Sequence, residues 1–171
     1  SGGVSLPTGN IHIKGKATDQ MYANTLYPND MQTGSGSFEA LPGVCYLLRA
    51  NKITYSAQLS TVIRLNKNSL GYKYGNEASL STWVAYQVFP FLSTSLRAQA
   101  STIGYAKGYN SFYGGIDDAA SSLSAYSGQL VNTYLGINLR AKKGAFNKLT
   151  LGFEYGLPVY QNLYGTQSIK R

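Results

Sequence analysis

Residues 53 to 65 read Ile53-Thr54-Tyr55-Ser56-Ala57-Gln58-Leu59-Ser60-Thr61-Val62-Ile63-Arg64-Leu65. Ile53, Tyr55, Ala57, Leu59, Ile63 and Leu65 share one parity, and Thr54, Ser56, Gln58, Ser60 and Arg64 share the other. A period of two is the mark of a β-strand, whose successive side chains point to opposite faces. At this length the strand exceeds the ~5–6 residues usual in globular sheets and suits the ~9–11 residues of a tilted membrane-crossing strand.

Five further stretches carry the same alternation. Residues 38–49 set Phe38, Ala40, Val44, Tyr46 and Leu48 against Glu39 and Arg49, although Leu41, Cys45 and Leu47 weaken the polar phase. Residues 77–88 set Ala78, Leu80, Val84, Tyr86 and Val88 against Glu77, Ser79, Ser81, Trp83 and Gln87. Residues 91–105 oppose Leu92, Leu96, Ala98 and Ala100 to Ser93, Ser95, Arg97, Gln99 and Ser101. Residues 129–141 oppose Val131, Leu135, Ile137 and Leu139 to Asn132, Asn138 and Arg140, and 148–159 oppose Leu149, Leu151, Phe153, Tyr155 and Leu157 to Lys148, Thr150 and Glu154.

The connections alternate in length. Ala50-Asn51-Lys52, Phe89-Pro90 and 142–147 are short, whereas 10–36, 66–76 and 106–128 are long and rich in Gly, Ser, Asn and Tyr. A soluble β-sandwich also alternates apolar and polar faces. Strand length and the short/long rhythm instead predict an all-β fold, an antiparallel transmembrane β-barrel with short turns at one rim and long loops at the other. Tyr46, Tyr55, Tyr86, Phe89, Phe146 and Tyr155 are candidates for interfacial girdles. The chain opens within what reads as a strand end, Val4-Ser5-Leu6-Pro7-Thr8-Gly9, and closes without an aromatic-ended strand. It is therefore expected to be one barrel domain lacking terminal strands.

Composition narrows the function. Only 13% of the 171 residues are charged, so Ser, Thr, Asn, Gln and Tyr supply most of the polarity. No apolar run reaches the ~18 residues of a transmembrane helix, which a barrel does not need. The net charge of +8 comes from basic residues scattered along the chain. Without a basic run or an RNA-binding motif it predicts no nucleic-acid partner. It fits contact with outer-membrane lipid and lipopolysaccharide, or an anion-leaning pore. Cys45 is the single cysteine and His12 the single histidine. Neither forms part of a metal-ligand spacing or a nucleophile motif, and no phosphate cradle or dinucleotide fingerprint is present. Asp117-Asp118 is the one adjacent carboxylate pair, in a Gly/Ser-rich loop where solvation is the ordinary role. Neither an enzyme nor a cofactor or metal site is expected.

Several landmarks resemble a bacterial outer-membrane family of transporters linked to the phenol-degradation meta-pathway, distantly similar to fatty-acid and aromatic-hydrocarbon channels. They are Gly156-Leu157-Pro158-Val159-Tyr160-Gln161-Asn162-Leu163-Tyr164-Gly165-Thr166-Gln167, Ser5-Leu6-Pro7-Thr8-Gly9, Met31-Gln32-Thr33-Gly34-Ser35-Gly36 with Leu41-Pro42-Gly43, and Leu92-Ser93-Thr94-Ser95-Leu96-Arg97. Gln99-Ala100-Ser101-Thr102-Ile103-Gly104 departs from the family pattern in lacking a tryptophan before the glycine. The resemblance implies a β-barrel acting as a passive channel in the bacterial outer membrane.

If the apolar phase meets lipid, the polar phase lines the lumen. The lumen-lining and selectivity candidates are Arg49, Arg64, Glu77, Trp83, Arg97, Gln99, Arg140, Lys148 and Glu154, with Glu39 on the same phase. Charges inside a barrel must be paired or hydrated. Two arrangements meet that demand: a watered pore biased toward anions, or a packed lumen of structural Arg–Glu pairs. Trp83 stacks on a ligand in the first and fills space in the second. Pro158 is expected to end or kink its strand. The function expected is passive uptake of small solutes, hydrophobic or aromatic ones among them. The alternative is a structural or surface-recognition barrel working through its Tyr-rich loops.

Overall fold

In a computed structural model of the chain, residues 1–18, 23–27, 31–108, 127–141 and 149–164 are described. Ten strands follow one another: β1 (Val4–Ser5), β2 (Glu39–Ala40), β3 (Gly43–Ala50), β4 (Ile53–Arg64), β5 (Tyr72–Lys73), β6 (Glu77–Phe89), β7 (Leu92–Ile103), β8 (Lys107–Gly108), β9 (Ser127–Arg140) and β10 (Thr150–Tyr164). All but β5 and β8 join one antiparallel 8-stranded sheet in the order β1-β2-β4-β6-β7-β9-β10, with β3 also on β4. β5 and β8 form a separate two-stranded ribbon that ties the 66–76 loop to the start of the next long loop.

β2 and β3 are two parts of one strand. Ala40 faces Ile63 and Gly43 faces Ser60, so the register is unbroken across Leu41-Pro42. Pro42 has no N–H to donate, but its carbonyl still accepts from the Thr61 amide at 3.0 Å. The chain start lies along the outer side of this strand, where Gly3 and Leu41 exchange backbone hydrogen bonds of 3.1 and 2.8 Å.

The short turns obey local chemistry. Ala50 pairs with Ile53, leaving Asn51-Lys52 as a two-residue loop. Asn51 has φ 50°, and Asn accepts that left-handed conformation better than most residues. Phe89 pairs with Leu92 around Pro90-Phe91, with a bulge at Val88 beside the turn.

Pro158 does not end its strand. β10 runs on to Tyr164, and the irregularity is a bulge between Pro158 and Tyr160. β10 is the last strand of the sheet, the position where a proline can be carried with one side free of ladder demands.

The sheet does not close among the described residues: β10 pairs only with β9, and neither β1 nor β3 reaches it. The expected all-β antiparallel architecture is present, but as an open sheet.

Register aligns the apolar residues in five rows. From the short-turn end they are Phe89-Leu92-Leu139-Leu151; Ile53-Tyr86-Thr94-Ile137-Phe153; Leu48-Tyr55-Val84-Leu96-Leu135-Tyr155; Tyr46-Ala57-Thr82-Ala98-Thr133-Leu157; and Val44-Leu59-Leu80-Ala100-Val131-Tyr160. Among the described residues no layer packs over them, and most stand open. Leu135 is 65% exposed, Leu151 63%, Phe153 69% and Val44 69%.

The buried apolar residues among those described are Ile11, Leu26, Leu70, Tyr72 and Ala106, every one outside the long strands. Ile11, Leu26, Leu70 and Tyr72 form one cluster with Tyr74 packed against it. Asn68 stitches this loop core together, its carbonyl accepting from the Leu70 and Tyr72 amides at 3.1 and 3.2 Å and its amide donating to Ser35 at 3.1 Å. The long loops therefore carry a small core of their own. Burial pushes the Tyr72 phenol above its ordinary value.

Candidate functional site: the polar face

Side-chain parity places Arg49, Arg64, Glu77, Trp83, Arg97, Gln99, Arg140 and Glu154 on the face opposite the apolar rows. Lys148 and Asp117-Asp118 lie outside the described residues. On β7 the polar positions Ser95, Arg97, Gln99 and Ser101 are partly shielded, while Leu96, Ala98 and Ala100 are exposed. β6 repeats the pattern, with Ser81 and Trp83 shielded and Leu80, Val84 and Tyr86 exposed. The shelter of the polar positions is confined to the centre of the sheet, because β3 beyond Gly43 and β10 up to Tyr160 are exposed on both faces.

At the long-loop end Arg64 is a junction. Its Nε donates to Glu39 at 3.2 Å and one terminal nitrogen to Glu77 at 2.6 Å; the other terminal nitrogen donates to the Gly75 carbonyl. The guanidinium also sits 5.5 Å from the Tyr74 ring centre. The Arg64 side chain is only 10% exposed and Glu39 13%. Because β2, β4 and β6 are neighbours, carboxylates from two strands reach one arginine on the strand between them. A cleft of about 620 Å³ lies beside it, walled by Leu6, Thr8, Gly34 and Tyr74 among others.

A second cluster lies midway along the sheet. Arg97 is clamped bidentately by Glu154, at 3.0 Å from Nε and 2.6 Å from a terminal nitrogen. Its guanidinium lies 4.0 Å from the Tyr134 ring centre, a cation–π distance. Trp83 is the direct cross-strand partner of Arg97, and with Glu154, Ser95 and Asn138 the two line a cavity of about 310 Å³.

Tyr134 also reaches Gln99 through its hydroxyl at 3.4 Å, and Gln99 donates to Ser79 at 3.4 Å. The Tyr134 ring covers Gly156, its partner on β10, where any Cβ would run into the ring. Aromatic cover of a strand glycine pins register.

The structure thus joins Arg64 to Glu39 and Glu77, and Arg97 to Glu154, Tyr134 and Trp83. Arg49 and Arg140 stay apart from both groups, with no carboxylate partner among the described residues. The polar face is therefore not a row of free cations among the described residues. Two of the four described arginines are neutralised in place.

Tyr134 and Tyr74 were not legible as site residues. Tyr134 shares the parity of Asn132 and Asn138, but its contact with Arg97 depends on the register of β9 against β7. His12, the sequence's only histidine, lies 3.4 Å from the Ser69 hydroxyl in the loops. The described carboxylates Glu39, Glu77 and Glu154 are all held by arginine instead.

No family model matches the chain, and neither a curated protein nor a solved structure matches it.

Proposed function

We propose that this sheet is part of the wall of a bacterial outer-membrane β-barrel whose polar face lines a passive channel for small solutes, hydrophobic or aromatic ones among them. The observation that carries the reading is the exposure of the apolar rows, with the polar positions of the central strands β6 and β7 the better shielded. In water such rows would be covered, because burying apolar area is the main force for folding. In lipid they are the outer surface.

Dimensions agree. Leu139 and Val131 mark the first and last apolar rows on β9, about 27 Å apart along the strand. At a tilt of ~40° that becomes roughly 21 Å across the membrane, near the ~25 Å apolar band of such barrels. Aromatic residues gather at both limits, with Tyr86, Phe89 and Phe91 at the short-turn end and Tyr160 and the Tyr105–Tyr164 pair at the other. Tyr55 and Tyr155 stand in the middle row instead, and Phe146 lies outside the described residues. The landmark resemblance to aromatic-pathway transporters supports the same reading.

Planar-bilayer recording of the full chain tests it. Discrete conductance steps with a mild anion preference are expected, and a bilayer that stays silent contradicts the channel.

The loop core around Ile11, Leu26, Leu70 and Tyr72 favours a second reading, a recognition barrel with a blocked lumen and tyrosine-rich loops for contact. Deletion of 109–125 separates the two. A channel keeps or gains conductance, whereas a recognition protein loses partner binding.

A further inference from the structure

Of the described cations without a carboxylate partner, Arg49, Lys52 and Arg140 stand at the short-turn end of the sheet. A cavity of about 320 Å³ opens there at the foot of the sheet, lined by Lys52 and Arg140 and by no carboxylate. Its size lies at the small end of the ~300–1,000 Å³ range of ligand sites.

Three features of the lining select a ligand. Lys52 from the β3–β4 turn and Arg140 from the end of β9 line one cavity, a like-charge arrangement that an anion relieves. Neither makes an ion pair among the described residues, and the described carboxylates Glu39, Glu77 and Glu154 are committed to Arg64 and Arg97. A third unpaired cation, Arg49, is the register partner of Thr54 in the cavity wall.

The amides of Asn51, Gln87 and Asn138 add potential hydrogen-bond donors. Thr54, Ser93 and Thr150 add hydroxyls, and the apolar wall is confined to the β6–β7 turn, where Phe89 and Phe91 stack at 5.6 Å with their planes 8° apart and Leu92 lies beside them. A purely inorganic anion would leave that wall unused, and a neutral apolar solute would leave the cations unanswered.

We propose that this pocket binds a small organic carboxylate, its anionic head between Lys52 and Arg140 and its apolar body against Phe91. Binding rests on the pocket alone. Its role as a waiting station for a permeating solute rests on the channel reading.

The test is calorimetric titration of benzoate into the folded, detergent-solubilised full chain, with benzyl alcohol as the neutral isostere. Benzoate should bind, weaken with added salt and outbind benzyl alcohol. Lys52→Gln with Arg140→Gln should weaken it by about tenfold or more, as loss of charge-assisted hydrogen bonds implies. Arg140→Lys in place of Arg140→Gln should recover most of the affinity, and Lys107→Gln, in the ribbon at the long-loop end, should leave it unchanged. Lys52 and Arg140 are exposed, so these variants are expected to fold; heat-modifiable gel migration of the same samples checks this.

Benzoate binding that the double variant does not alter, or benzyl alcohol binding equally well, would overturn the site. So would no binding at all. Bilayer recording of the same preparations keeps the two claims apart. Salt-sensitive benzoate binding without conductance removes the channel and leaves the pocket, whereas conductance without benzoate binding does the reverse.

Discussion

Arg64 and Arg140 have the same side chain on the same face of the sheet, yet their surroundings are opposite. Arg64 is nearly covered and holds two carboxylates and a backbone carbonyl. Its truncation strands Glu39 and Glu77 together, and breaking such a buried pair costs about 3–5 kcal/mol. Glu77 is more exposed than Glu39, so the lower end is expected for Arg64→Ala in urea-melting experiments, with under about 0.5 kcal/mol for Arg140→Ala at its exposed position. In the proposed channel the ordering reverses for selectivity. Arg140→Ala should move the reversal potential toward cations, whereas removing Arg97 and Glu154 together deletes a neutral pair and should leave it in place. Parity in the sequence was enough to put these residues on one face. Which arginine finds a carboxylate was not legible, because Glu39 and Glu154 reach their partners from 25 and 57 residues away and only strand register brings them together.

Alternation carries most of the element-scale information. It located six long strands and their facing because each apolar residue repeats at the pleat period, from Ile53 to Leu65 and again in the others. It failed where chemistry at one residue competes with pattern. Pro158 reads as a terminator, but on an edge strand its missing donor is tolerable, so β10 absorbs it in a bulge and continues six residues further. The loop strands β5 and β8 were invisible, being two residues each and paired across a long connection. The turn at Asn51 is a sharper case of local control. Asn51→Val asks a β-branched residue to hold φ 50° and should destabilise the first hairpin by about 1–2 kcal/mol, whereas Asn51→Gly should be near neutral. Urea midpoints of the two variants check this; equal effects would show that the turn relaxes out of the left-handed region.

At the scale of the whole molecule the issue is which solvent the apolar rows meet. Leu135 lies in the middle row and is 65% exposed. In water, Leu135→Arg at such a site costs under about 0.5 kcal/mol. In a bilayer, an arginine facing lipid near the midplane costs about 2–4 kcal/mol. Folding into liposomes should therefore suffer by the larger amount. The most direct measurement is a nitroxide scan along β7, one cysteine at a time from 92 to 103 in a Cys45→Ser background, in liposomes, reading collisions with oxygen and with a water-soluble nickel chelate. The account predicts a period of two, with oxygen favoured at Leu96, Ala98 and Ala100, and nickel favoured at Ser95, Gln99 and Ser101. Protection of Leu96, Ala98 and Ala100 from both reagents would contradict it, since those residues would then be the core of a water-soluble sandwich.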